Sequence, residues 1–181
     1  MDERVTLRSH LDRSVQGAPD GLAVAAVIEA VAIASMGVAE LIADGPLAGI
    51  TGRHSGVNPD GDLQKDIDVV ADKLMGRALR AAPVAAVLSE EAELPEIFDA
   101  AGPLCVAIDP LDGSANLENN ISVGTIFSIR PRGNDIISTF FEPGTAQCAA
   151  GLLCTGPKPR LSWLSAGTST FSFSTGALGN L

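Results

Sequence analysis

Positive charge is scarce in this sequence. Its 181 residues carry 12 lysines and arginines against 22 aspartates and glutamates, a formal net charge of −10. A surface of that sign repels nucleic acid and anionic membrane, which argues against both as partners. Cysteine is scarce too. Cys105, Cys148 and Cys154 form no CxxC pair and no framework of disulfide density, so reduced, mostly buried thiols in a cytoplasmic protein are expected. No basic segment precedes an apolar one near Met1, and no signal peptide is expected. The most apolar stretch, Leu22 to Ala43, is interrupted by Glu29 and Glu40, and charges inside a membrane span are costly. A buried, alanine-rich helix is the expectation there. Internal repeats and low-complexity linkers are missing as well.

What is present suffices for one domain with a substantial core: 46% of residues are hydrophobic and 19% charged. Pro19-Asp20-Gly21 marks a turn before a helix predicted over 21–44, which Gly45-Pro46 should end. The segment from Gly52 to Gly61 reads as loop. A second helix is predicted over 62–81, with Ile67, Val70, Leu74 and Leu79 spaced for one apolar face and Pro83 as its stop. The texture then changes to short apolar and β-branched runs at 84–88, 104–108, 121–129, 135–141, 160–164 and 170–174, which read as strands. Two helices followed by many strands predict an α/β layered fold, with both helices packed on a mixed or antiparallel sheet.

The carboxylates fall at suggestive places. Asp62 and Asp68 lie at the start of the second predicted helix; Glu90 and Glu91 follow one apolar run, Asp109 and Asp112 another. Strand ends that open onto loops are where scaffolds present functional groups. Several carboxylates at one site need cations or raised pKa values, and magnesium takes oxygen ligands of this kind. Each pair alone also has an ordinary reading: Asp62 as a helix cap, Asp68 and Glu90-Glu91 as solvated surface, Asp112-Gly113 as a turn. Spacing raises a metal site and goes no further.

The wording of the motifs is more specific. Asp109-Pro110-Leu111-Asp112-Gly113-Ser114-Ala115-Asn116 resembles the DPLDGSSN signature of class 1 fructose-1,6-bisphosphatases, which stand beside the inositol monophosphatases among magnesium-dependent phosphatases. Residues 61–68 (GDLQKDID) resemble the family's GDxQKxLD, and Ser89-Glu90-Glu91 its SEE. Ser122–Ile129 (SVGTIFSI) resembles the strand after the signature, and Pro143–Gly151 (PGTAQCAAG) the PGTxxVAAG segment. These five motifs run in the family's order.

The resemblance implies an α-β-α-β-α sugar-phosphatase fold, of which residues 1–181 are the N-terminal, metal-binding half; family members are nearly twice this length and commonly homotetramers. It implies magnesium-dependent hydrolysis of the 1-phosphate of fructose 1,6-bisphosphate, in gluconeogenesis or the Calvin cycle, with two or three magnesium ions per subunit. Glu90, Asp109 and the carbonyl of Leu111 correspond to ligands of one ion, and Asp109 and Asp112 to ligands of a second. Asp62 with Glu90 corresponds to a third, weaker position. Glu91 paired with Asp68 resembles the base that activates water. Asp112, Gly113, Ser114 and Ala115 occupy the loop that grips the phosphate. Two cations can stabilise attacking and leaving oxygens of an in-line displacement, and a carboxylate base completes the set. Sedoheptulose-1,7-bisphosphatase activity fits the same motifs. An inositol-monophosphatase-like activity is disfavoured by SVGTIFSI and PGTAQCAAG, and a non-catalytic module retaining the fold by the intact carboxylates.

Departures from the family pattern have consequences. Ala115 replaces the second serine of the signature and removes a hydroxyl, leaving the backbone N–H in place. No cysteine-bearing regulatory insertion is visible. Pro103 and Leu104 stand where AMP-inhibited members carry lysine and tyrosine. The full-length enzyme should therefore respond weakly to AMP in a steady-state assay; inhibition at low micromolar AMP would mean that other residues build a nucleotide site.

Overall fold

The structure is a computed structural model and describes residues 6–15, 17–48, 54–57, 63–119, 121–155, 160–165 and 171–174. It opens with a helix that the polar texture of the first twenty residues conceals, α1 (Leu7–Ser14). The Thr6 hydroxyl caps it by accepting from the Ser9 N–H at 3.2 Å, and Leu7 and Leu11, one turn apart, are buried. Gly17 and Asp20, with φ of 78° and 54°, then turn the chain.

α2 (Gly21–Ala48) follows. It passes through Gly45-Pro46 rather than ending there. A proline lacks one N–H and removes one intrahelical bond, and the helix closes two residues later. Val24, Val27, Ile28, Val31 and Ala32 are buried where α2 packs on the sheet. This helix is long and apolar enough to cross a membrane, and its burial against the sheet gives that composition a core role.

The second predicted helix starts late. Leu63–Lys65 (β2) pairs antiparallel with His54–Val57 (β1), so α3 spans Asp66–Arg80 rather than 62–81. Ile67, Ala71, Met75 and Leu79 form its buried stripe.

The remaining strands make one mixed sheet: β3 (Val84–Ser89), β4 (Glu96–Ile97), β5 (Leu104–Asp112), β6 (Val123–Pro131), β7 (Ala149–Thr155), β8 (Arg160–Ser165) and β9 (Phe171–Ser174), in the order β4-β3-β5-β6-β7-β8-β9. β3 and β5 run parallel and all other neighbours antiparallel. The strand expected over 135–141 is instead a single helical turn, α4 (Ile136–Thr139). The Asp135 carboxylate accepts from the Ser138 N–H at 3.0 Å, and that local cap outweighs the β propensity of the run.

The sheet has two unlike faces. α2 and α3 cover one, burying Val106, Ile108, Phe127, Ile129 and Leu153. On the other, α4 shields only Ala85, Ala86 and Cys105 through Ile136 and Phe140, and Ile126 and Leu152 are exposed. Arg130 ties the loop before β7 to this scaffold, donating to the carbonyls of Glu142 (2.7 Å) and Pro143 (3.1 Å).

Gly151 explains one letter of the PGTAQCAAG motif. It pairs with Phe127 across β6 and β7, and the buried ring lies over its backbone. A Cβ there would overlap the ring's Cζ atom, with Cε1 at 2.7 Å. Gly151→Ala should destabilise the fold by about 1–3 kcal/mol, the usual cost of overpacking. Urea denaturation checks this, and an unchanged midpoint would show that the ring yields freely.

Candidate active site

Because β3 and β5 are parallel, their carboxyl ends leave the sheet at the same edge, where open α/β sheets bind ligands. The Glu90 N–H donates to the Ile108 carbonyl at 3.0 Å, which places Glu90 beside the next residue of β5, Asp109. The two carboxyls are near enough for the charge of Glu90 to act on Asp109. Both line a cleft of about 610 Å³ on the open face, together with Leu88, Ile126, Ser128 and Gln147.

Asp112 joins Asp109 through an irregularity in the ladder. Asp109 pairs with Ile126 and Asp112 with Gly124, so three steps along β5 match two along β6. Strict alternation would send residues three apart to opposite faces; the extra residue, a bulge, returns Asp112 to the face of Asp109. The chain then turns at Gly113, whose φ of 77° suits glycine. The Asn116 N–H donates to the Gly113 carbonyl at 2.8 Å and opens the 3₁₀ stretch Ser114–Asn119. Ser114 is half-buried and Ala115 exposed.

The charges strain against one another. Burial first, then the negative charge and hydrogen bond of Glu90 and the charge of Asp112, push the Asp109 carboxyl up to about 7; the Leu111 N–H, donating to its Oδ1 at 3.0 Å, opposes this in part. Near neutrality Asp109 is therefore partly protonated when no cation is present. An all-oxygen donor set with one carboxyl held at so high a pKa fits a hard divalent cation, whose charge would reverse that shift.

Of the other residues singled out in the sequence, Asp68 lies in the first turn of α3. It is 4% exposed, on the helix-covered side, and is not a solvated helix face. Glu91 sits in the turn after β3, half-buried. Asp62 lies outside the described residues. Among the described residues no three acidic, histidine or cysteine side chains converge into a ready-made cation cage. Glu90 and Asp109 meet, while the charge of Asp112 acts on Asp109 from an exposed position. Mutual repulsion of three carboxylates accounts for that spacing.

Supporting residues escaped the sequence reading. The Ser89 hydroxyl donates to Asp72 Oδ1 at 2.6 Å and accepts from the Glu91 N–H at 3.3 Å, fixing the turn that carries Glu90 and Glu91. Ser35 and Thr125 form a second, fully buried pair. A serine inside the apolar run of α2 was the one signal available for it.

Comparison with known proteins places the chain in a family. The family profile described as fructose-1-6-bisphosphatase, N-terminal domain, matches residues 6–180. A class 1 fructose-1,6-bisphosphatase from Bradyrhizobium sp. strain BTAi1 is 60% identical over 158 residues, covering 87% of this chain and 44% of its own length. One from Bradyrhizobium diazoefficiens is 46% identical, covering 89% of this chain and 47% of its own. The chain thus spans about half the length of these relatives. The crystal structure of Leishmania major fructose-1,6-bisphosphatase in holo form superposes with a TM-score of 0.84 at 24% identity, over 95% of this chain and 55% of that one, and shares its fold.

The raised Asp109 carboxyl has a measurable consequence. Its folded pKa of about 7 stands above the ordinary 3.8, so between those values the folded chain binds more protons than the unfolded one. Stability is then fully present at the acid end and falls as pH rises through this window. In a chelator, urea titrations across the window should show that decline, and Asp109→Asn should flatten it. An identical decline in the variant would assign it to other groups.

Proposed function

Because the chain belongs to the fructose-1,6-bisphosphatase family, we propose that it forms the metal-binding half of a phosphatase that releases the 1-phosphate of fructose 1,6-bisphosphate. The observation that carries this reading is the meeting of Glu90 and Asp109, with Asp112 brought to the same face, at the carboxyl ends of the parallel strands β3 and β5.

In this reading Glu90, Asp109, Asp112 and the Leu111 carbonyl hold magnesium, with Asp62 at a weaker position. Bound magnesium supplies positive charge to the attacking and leaving oxygens of an in-line displacement. Glu91, steadied by the Ser89 hydroxyl through its N–H and paired with Asp68, takes a proton from the attacking water. A bond forms between that water's oxygen and phosphorus while the bond from phosphorus to the C1 oxygen breaks, and the C1 oxygen takes a proton from solvent and leaves as the sugar hydroxyl. Backbone N–H groups of Gly113, Ser114 and Ala115 grip the phosphate. They need no side chain at 115, so alanine serves there. The net charge of −10 repels a bisphosphate, and bound cations would offset that repulsion. A cytoplasmic homotetramer is the setting that the resemblance supports.

Phosphate release from fructose 1,6-bisphosphate, with and without magnesium, tests the reading on a protein of its relatives' length that carries this segment. Two variants separate its parts. Glu91→Gln should lower kcat by about 10²-fold or more, on ordinary general-base magnitudes, with little change in the magnesium requirement. Asp112→Asn should lower kcat and also raise the magnesium concentration for half-maximal rate, because it removes ligand charge. Near-normal turnover in both would reduce the cluster to a solvated acidic surface.

A further inference from the structure

The bulge in β5 leaves one backbone group to be accounted for. Between Asp109 and Asp112 the ladder with β6 is interrupted, and the carbonyl of Pro110 lies in that interruption. Its acceptor is met by a side chain: the Thr125 hydroxyl stands 3.0 Å away. A carbonyl cannot donate, so Thr125 does, and its lone pairs are left free to accept. Ser35 of α2 faces those lone pairs and shares its one proton between two acceptors, Thr125 Oγ1 at 3.0 Å and the carbonyl of Val31 at 2.8 Å. Both hydroxyl-bearing residues are 0% exposed. Water is shut out, so this chain from helix to strand to loop has no substitute partner.

We propose that Ser35 and Thr125 are positioning residues for the cation site: Ser35 orients the Thr125 hydroxyl, and Thr125 pins the Pro110 carbonyl, holding the bulge that brings Asp109 and Asp112 to one face. The inference rests on the reading of those two aspartates as cation ligands. It assigns a task to two residues that touch neither cation nor substrate, and it makes α2 a support of the acidic loop as well as a core helix. Isosteric loss of the Thr125 hydroxyl leaves the Pro110 carbonyl buried without a partner, and the strand is then driven to restore regular pairing, which turns Asp112 away.

The test is direct binding of Mn²⁺, followed by electron paramagnetic resonance of the free ion, on the full chain with Thr125→Val, Thr125→Ser and Ser35→Ala. Groups that orient metal ligands from outside contribute about 10–100-fold in affinity. Thr125→Val should therefore weaken Mn²⁺ binding by about 10-fold or more. Thr125→Ser, which restores the hydroxyl, should return it to near the parent value, and Ser35→Ala should fall between. A loss that reflected general instability would not be rescued by serine, which packs less well than valine. Wild-type affinity in a folded Thr125→Val chain overturns the proposal. If that variant does not fold, Ser35→Ala decides in its place, and parental affinity there overturns the pairing. Failure of the parent chain to bind Mn²⁺ would instead strike the cation-site reading itself, a result distinct from the other two.

Discussion

Carboxylates pressed together at the edge of a sheet are the constraint around which this molecule is arranged. Asp109 cannot sit half-buried beside Glu90 and within reach of Asp112 at no cost, and its carboxyl pushed up to about 7 records that cost. A flexible loop would relax the repulsion by moving the groups apart. Here the groups are attached to the central strands of the sheet. β5 has neighbours on both sides, and the Glu90 N–H is bonded back to Ile108. The energy that holds like charges together comes from the core beneath them, chiefly the apolar face that β5 and β6 turn toward α2 and α3.

The same strand therefore serves two purposes. Val106 and Ile108 face the helices and are buried, whereas Ala107 and Asp109 face the open cleft. Period-two alternation separates the roles as far as Asp109. Beyond it, a regular strand would present only one of the two aspartates to the cleft, and the bulge is the local departure that presents both. Asymmetry of the two sheet faces follows from this division. One face is sealed to supply stability, and the other is left open for chemistry, with Ile126 and Leu152 exposed around it.

Much of this was legible in the sequence, for identifiable reasons. The helix in 21–44 and the strands at 84–88, 104–108 and 121–129 are unbroken apolar or β-branched runs, so composition and the turn residues between them were enough to find them. α1 was hidden because only Leu7 and Leu11 of its residues are buried, too short a stripe to stand out among polar neighbours. The run 135–141 misled because β-branched residues favour strands, while the decisive feature was one aspartate cap. At the site, the motif letters gave Glu90, Asp109 and Asp112. The contacts of Asp72, Ser35 and Thr125 were out of reach because a hydrogen bond between residues far apart in the chain, 90 positions for Ser35 and Thr125, leaves no local pattern. The protonation of Asp109 was beyond reach for the same reason: it depends on burial and on a neighbour from another strand.

The run Asp109-Pro110-Leu111-Asp112-Gly113 can be read as a physical device letter by letter. Proline is tolerated inside a sheet only where no ladder N–H is required, and a bulge is such a place; Pro110 brings no donor to the interruption, and its carbonyl is taken by Thr125. Leu111 is 5% exposed and packs with Val38 of α2, Ile67 and Ala71 of α3 and Val123 of β6. The acidic turn is thereby bolted to both helices from beneath. Its N–H, meanwhile, reaches back to the Asp109 carboxyl. Asp112 emerges on the cleft side, and Gly113 makes the turn that a side chain would resist. Charge, anchor and turn thus alternate within five residues. Replacing Leu111 by a polar residue would loosen the aspartates on either side of it without touching a carboxylate, because the placement of the charges depends on the apolar contact between them.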